Sequence, residues 1–458
     1  MEYLAKEMGI SKVLAQLLIN RGLEDLEKAE YFLKGNLDNL TSPFEIAGVR
    51  PAIERVRKAI HDKEKIVIYG DYDVDGIAGT SLLVETLKIL GARVDFYIPD
   101  RLEEGYGLNL AALQQLATEK VDLVITVDCG IASHLEISKG QELGLEFIVT
   151  DHHLPSEELP PCIVINPTLE KKEVNWQGLA GVGVAFKLVQ GLLEDILGSS
   201  LGRKKAFEFL DLVALGTIAD IVPLKGENRI LVKYGLVEMA KGKRLGIKKL
   251  CEVSKINLQA ISAGQVGFGL APRLNASGRI GNPGLGVQLL LSQQEKEAEE
   301  IALKLNSENQ NRQSIEAKIT QDAIHMVENM DLDKEQCIIL MSPDWHPGVI
   351  GIVASRLVEK YYRPTILLTI ANGVLKGSGR SIPGFHLYEA LSHCQNLLEN
   401  FGGHSQAAGL SLTPENLAAF RTKINRLASS ILKEEDLIPA ILLDGEINLE
   451  EVNFQLLE

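Results

Sequence analysis

Cysteine is sparse in this 458-residue chain: Cys129, Cys162, Cys251, Cys337 and Cys394 stand far apart, with no CxxC pair. That spacing argues against a disulfide framework or a structural zinc site and fits a reducing cytosol, so a cytoplasmic protein is expected. Long apolar runs are lacking too. The stretch LVALGTIADIVPL is too short to cross a bilayer and contains Asp220, so no membrane partner is expected. The opening residues, MEYLAKEMGISK, carry acids and no apolar core and read as neither a signal nor a transit peptide. Positive charge is in deficit, with 47 Lys and Arg against 62 Asp and Glu, a formal net charge of −15. This argues mildly against a nucleic-acid partner, because phosphate binding is mainly electrostatic.

Net charge is not local charge, however. KGKRLGIKKLCEVSK, from Lys241, holds six basic residues and one glutamate, and the run from Arg363 to His386 has no acid at all. Both are candidate anion-facing surfaces; solvated surface is the plain alternative.

The length suggests two or three domains. Residues 1–55 read as short amphipathic helices. From Lys65 the runs KIVIYGD, RVDFYIPD, DLVITVDCG, LEFIVTDHH and CIVINP alternate with helical patterns, which predicts a parallel sheet with crossover helices over 56–290. A polar stretch without Gly or Pro predicts one or two exposed helices as a linker over 291–332. A smaller mixed α/β domain over 333–433 follows, with CIILMS, PTILLTI and AAGLSL as strands, and an acidic tail covers 434–458. The fold class is therefore α/β, two sheet domains joined by a long helical linker.

In IYGDYDVDGIAG three carboxylates, Asp71, Asp73 and Asp75, fall within five positions directly after an apolar run. DLVITV leads to Asp128, LEFIVT to Asp151, His152 and His153, and Asp220 interrupts an apolar helical stretch. A parallel sheet brings such strand ends together along one edge. So many carboxylates would repel and raise one another's pKa unless cations sat between them. Oxygen donors with an imidazole suit Mn²⁺ or Mg²⁺, and the chemistry such a cluster serves best is two-metal phosphoester hydrolysis. Singly, Asp73 or Asp75 could be a helix N-cap, Asp128 a turn residue and the histidines surface residues.

DYDVDG, VDCG, DHH and GTIADIVPL resemble, in order, the four signature motifs of the DHH phosphoesterase superfamily. NASGRIG, WHPGVIGIVASRL, GSGRS and GGHSQAAG resemble those of its bacterial RecJ group, the single-strand-specific exonucleases. The likeness covers residues 50 to 430. It implies 5′→3′ degradation of single-stranded DNA to 5′ mononucleotides, in repair and recombination, with two Mn²⁺ or Mg²⁺ ions. It also implies a monomer with a single-strand-binding protein and a helicase as partners. Longer members carry an oligonucleotide-binding barrel after the second domain, and residues 434–458 would lead into one. The alternative is a superfamily member acting on short oligonucleotides or cyclic dinucleotides.

Carried over position by position, the resemblance assigns metal binding to Asp71, Asp73, Asp75, Asp128, His152 and Asp220. It places His153 against the scissile phosphate. Arg101, Arg279, Ser378 and Arg380 match positions that hold the terminal 5′ phosphate and nearby backbone, a role for which guanidinium forks are suited. His346 and His404 are expected to line the substrate path. Trp345, Phe385 and Tyr106 are candidates for stacking on bases, with core packing as the alternative.

Overall fold

The computed structural model describes residues 1–457 except 102, 103, 106, 173, 333, 372, 450 and 451, so Tyr106 lies outside the described residues. The chain divides into two compact units, 1–308 with 443–458, and 309–442.

In the first unit every one of the five predicted runs is a strand: β1 (Lys65–Gly70), β2 (Arg93–Tyr97), β3 (Leu123–Val127), β4 (Glu146–Thr150) and β5 (Ile163–Ile165). They form a parallel sheet in the order β2-β1-β3-β4-β5. The central strands are buried along almost their whole length because both faces are covered. The helices Val74–Ile89, Gly181–Leu197 and Leu210–Ala219 share the apolar cluster on one side, and Leu110–Thr118 and His134–Glu142 share that on the other. Each fully buried Leu, Ile or Val contributes about 1.5–3 kcal/mol relative to exposure, which makes this sheet a stiff platform. Its register decides the site. Gly70 pairs with Val127 and Val127 with Thr150, so Asp71, Asp128 and Asp151 leave neighbouring strands at one edge.

The helical stretch around Asp220 differs from expectation. The helix ends at Ala219, Asp220 caps it, and Ile221 takes φ 63°, so the carboxylate closes an apolar helix and does not interrupt one. A β-branched residue in that backbone region is strained, which ties the turn to the site it serves.

The first residues form the helices Glu2–Met8, Lys12–Asn20 and Leu26–Lys34 around a small cluster of Leu4, Ala15, Leu18 and Ala29. Ser11 and Asp25 cap the second and third by accepting backbone N–H bonds. The polar stretch is one 33-residue helix, Glu295–Val327.

The second unit holds β6 (Ile338–Met341), β7 (Thr365–Ala371), β8 (Val374–Arg380), β9 (Asn400–Gly403) and β10 (Ala407–Leu412), ordered β6-β7-β8-β10-β9. Only β6 and β7 pair in parallel; the rest are antiparallel. Among the described residues no helix is long and apolar enough to cross a membrane.

Candidate metal centre

β1 delivers its carboxylates through a tight turn. The N–H of Asp71 donates to Val127 O at 3.1 Å, fixing the turn to β3. Asp73 is the N-cap of the next helix: its Oδ1 accepts from the N–H groups of Asp75 (2.9 Å) and Gly76 (3.2 Å). The capping role and a ligand role are therefore compatible, since capping uses one oxygen. Asp75 is buried at the start of that helix, facing the N-terminus of Gly181–Leu197. There Gly181 N–H donates to its Oδ2 at 2.6 Å and Val182 N–H to its Oδ1 at 2.9 Å. A helix N-terminus offers free N–H groups and a positive dipole end to an anion.

Asp128 follows β3 with φ 61°, a left-handed turn that aims its side chain back toward Asp75. His152 Nε2 lies 3.0 Å from Asp128 Oδ1, 3.6 Å from Asp220 Oδ2 and 3.9 Å from Asp75 Oδ2. Three overlapping groups of potential ligand atoms lie within 4.8 Å: Asp75, His152 and Asp220; Asp71, Asp73 and Asp128; and Asp128, His152 and His153. Asp128 is common to the last two, joining the β1 carboxylates to the histidines. Asp71 Oδ1 and Asp220 Oδ2 are buried and accept no hydrogen bond among the described residues. The arrangement fits divalent cations with hard oxygen and imidazole donors.

Electrostatics says the same. Burial, then the charge of Asp73, holds Asp71 well above the ordinary carboxylate range. Burial, then Asp220, does so for Asp75, and burial, then Asp75, for Asp128. Burial and Asp73 push Asp220 up to about 6. Burial and the neighbouring His153 push His152 down to about 4, leaving a neutral imidazole, the form that binds metal.

His153 is arranged differently. Asp151 Oδ1 accepts from the N–H of His152 (2.7 Å) and of His153 (3.1 Å) and lies 2.8 Å from His153 Nδ1, while its Oδ2 accepts from Ile131 N–H at 2.9 Å. Burial opposes charge on both partners, but the pairing wins. Asp151 is held below its usual range, and His153 is pushed up to about 9, a cation at neutral pH. Asp151 thus orients a histidine, a role its place in the DHH run does not declare. Gly181 and Val182 were also not singled out in the sequence; the signal was the small-residue run LAGVGVAF opening a helix.

Arg101 lies over the Tyr72 ring with 5.0 Å to the centroid, and the charges of both Arg101 and Arg279 act on the Tyr72 phenol. Asn275, on the helix that carries Arg279, accepts from Val74 N–H at 3.1 Å. Both arginines therefore adjoin the DYDVDG turn. Glu104, beside Arg101 in sequence, is engaged by Tyr97, Asn109 and the Asp100 N–H.

In the second unit Ser378 and Arg380 lie on β8, where Arg380 Nη1 donates to Ser378 Oγ at 3.3 Å. A Cβ on Gly351, at the start of the helix Ile350–Tyr361, would lie 2.8 Å from Ser378 Oγ. His346 Nδ1 accepts from Gly348 N–H at 3.1 Å and shapes the turn into that helix. His404 is exposed in the β9–β10 turn. Trp345 and Phe385 are 3% and 1% exposed, so these rings are core and not base-stacking surfaces. The basic run from Lys241 is largely paired: Lys241 and Lys243 with Glu238, Arg244 with Asp211 and Glu85, Lys249 with Glu252 and Glu295.

Residues 65–217 match the DHH family N-terminal domain and residues 334–430 the DHHA1 domain. The chain is similar to the single-stranded-DNA-specific exonuclease RecJ of Bacillus subtilis, 43% identical over 99% of this chain and 57% of that relative. To RecJ of Dickeya dadantii it is 39% identical over 96% of this chain and 79% of that one. The chain thus spans a little over half the length of the Bacillus relative. A manganese-bound exonuclease RecJ structure superposes with a TM-score of 0.75 at 37% identity, covering 86% of this chain and 97% of that one. Magnesium-bound RecJ of Thermus thermophilus gives 0.76 at 31%, covering 97% and 61%. With two family domains in order and this identity along nearly all its length, the chain belongs to the RecJ family of DHH phosphoesterases.

Proposed function

We propose that this chain is a metal-dependent 5′→3′ exonuclease acting on single-stranded DNA in repair and recombination. The observation that carries the reading is the carboxylate edge itself. Five aspartates and His152 converge with too few cations to balance them, and Asp128 is shared between ligand groups. Asp75, His152 and Asp220 would hold one Mn²⁺ or Mg²⁺ and Asp71, Asp73 and Asp128 the other. When bound, such ions acidify a water and neutralise charge gathering on the phosphate.

The chain's own residues do the rest. The Gly181 and Val182 amides hold Asp75 in place, and Asp151 keeps His153 protonated, so its imidazolium faces the scissile phosphate's developing negative charge. Arg101, Arg279, Ser378 and Arg380 would grip the terminal phosphate and adjoining backbone, with His346 and His404 lining the path. Five free cysteines fit a cytoplasmic, reducing setting. A monomer working with a single-strand-binding protein and a helicase is supported by family membership alone.

The test is a 5′-labelled single strand incubated with Mn²⁺, with EDTA, and beside a dinucleotide substrate. Metal-dependent release of mononucleotides from the long strand is expected, lost in Asp75→Ala and Asp220→Ala while DNA binding persists. Preference for the dinucleotide would favour the small-substrate alternative; normal turnover by either variant would sink the metal assignment.

A further inference from the structure

Asp75 and Asp220 reach the centre from different elements, and something must hold those elements in register. Asp75 is gripped by the N-terminus of Gly181–Leu197, and Asp220 begins the loop into the helix Gly226–Ala240. Lys187 projects from the first helix and Glu227 from the start of the second. Their Nζ and Oε2 atoms are 2.6 Å apart, and both side chains are 0% exposed. Thr41 closes the arrangement: its N–H donates to Glu227 Oε1 at 2.7 Å and its carbonyl accepts from Lys187 Nζ at 2.8 Å.

Two further ties run the same way. Glu227 N–H donates to Asn175 O at 2.9 Å. Buried Asn228 donates from Nδ2 to Gly178 O and, at 3.3 Å, to Pro223 O. The far end of the Asp220 loop is thereby fastened to the segment that leads into Gly181. An ion pair this deep is seldom the most stable filling for its space, because desolvation offsets most of the attraction. What it does supply is direction: a lysine between a carboxylate and a carbonyl has one good placement, whereas apolar side chains tolerate sliding.

We propose that the Lys187–Glu227 pair, closed by the Thr41 backbone, is a positioning device that fixes Asp220 relative to Asp75 and so sets the affinity of the centre for divalent cations. The proposal rests on the two-metal reading above. It makes the N-terminal segment, through Thr41, part of the metal centre's support.

The test is Mn²⁺ binding to the full chain, followed by electron paramagnetic resonance titration with no DNA present. Glu227→Asp keeps the charges but shortens the reach by one methylene; K187M/E227L replaces the pair with apolar residues and removes both side-chain partners of the Thr41 backbone. Supporting groups around metal ligands are typically worth about 10–100-fold in affinity. The double variant is expected to lose at least about tenfold, and Glu227→Asp less, each titrated well below its own thermal unfolding temperature in EDTA. Parent-like Mn²⁺ affinity in both variants overturns the positioning role and leaves the metal reading intact. Failure of the unaltered chain to bind Mn²⁺ overturns the metal reading, and this proposal with it.

Discussion

A Cβ built on Gly181 would lie 2.8 Å from Oδ1 of Asp128, closer than real side chains approach, while the amide of the same glycine donates to Asp75 across 2.6 Å. The glycine therefore lets a helix N-terminus press against two buried aspartates at once. The helix contributes partial positive charge where the sheet edge has only negative charge to offer. Any larger residue must push either the helix or Asp128 away.

Gly181→Ala is thus expected to disturb the centre more than the fold. Overpacking of this kind costs about 1–3 kcal/mol in stability. The loss in Mn²⁺ affinity should be about 10–100-fold, as for other supporting groups at metal sites. Isothermal titration beside a thermal melt in EDTA separates the two; a variant that melts lower but binds Mn²⁺ normally would refute the coupling.

Stability should depend on pH and metal together. Asp220 titrates at about 6 in the folded chain against an ordinary 3.8, and Asp71, Asp75 and Asp128 are also held well above the ordinary carboxylate range. Between the unfolded and folded values the folded chain binds more protons than the unfolded one. The contribution of these carboxylates to the stability of the metal-free protein is therefore lost as pH rises through that window. Cations replace those protons and remove the penalty. His152, pushed down to about 4, adds stability as pH rises over the same range. The Asp220 contribution is therefore read as the melting-temperature difference between the parent and Asp220→Asn in EDTA, which should move against the parent from about pH 4.5 to about pH 6.5. A fixed Mn²⁺ concentration, a hundred times the Kd at neutral pH, should stabilise by about 2.7 kcal/mol near neutral pH and by much less near pH 5, where protons compete for the carboxylates. A metal effect independent of pH would contradict the assignment.

His153 offers a second pH test, read on activity. Paired with Asp151 it stays charged to about 9; Asp151→Asn removes the charge that raises it, so its pKa falls back toward the ordinary 6.5. Cleavage by the variant, at saturating Mn²⁺, should decline as pH rises from 6.5 toward 9, where the parent still holds its proton. Superimposable pH–rate profiles would show that the proton on His153 does not matter.

Much of this centre was legible because its cause is local. An apolar run ending in acids announces a buried strand and what lies at its tip, which puts Asp71, Asp128 and the run from Asp151 to His153 at one edge, whereas choosing His152 within that run takes the family resemblance. Gly181 was not legible, since the reason for it is a contact with Asp128 on another element. The same holds for β8 and β9. VLKGSGR and NFGG have weak strand character of their own and become strands by pairing with β7 and β10. Asp220 was placed inside a helix because nothing in TIADIV marks the left-handed Ile221 that ends it.

Trp345, which the sequence leaves open between base stacking and core packing, yields a prediction. It is 3% exposed and its carbonyl accepts from Thr369 Oγ1 at 2.7 Å, which places it in the core. Trp345→Ala should cost about 3–5 kcal/mol of stability, the range for deleting a buried aromatic. Once corrected for the unfolded fraction, its DNA affinity should be unchanged. A loss of about 1–3 kcal/mol in binding by the folded variant would instead restore the stacking role.

The last prediction concerns Arg380 and uses the substrate as the second mutation. Its guanidinium lies along β8 beside Ser378 Oγ, and the start of the helix Ile350–Tyr361 closes over both through Gly351. A hydroxyl beside a guanidinium makes a site suited to phosphate oxygens. If it holds the terminal 5′ phosphate, Arg380→Ala should raise KM for a 5′-phosphorylated strand about 10–150-fold, as expected for losing one charge-assisted contact of about 1.5–3 kcal/mol, with little change in kcat. A 5′-hydroxyl strand lacks the group that Arg380 would contact, so parent and variant should cleave it equally. The coupling is read from the four kcat/KM values together. An equal loss on both substrates would mean that Arg380 grips the internal backbone, and that the 5′ end is recognised elsewhere.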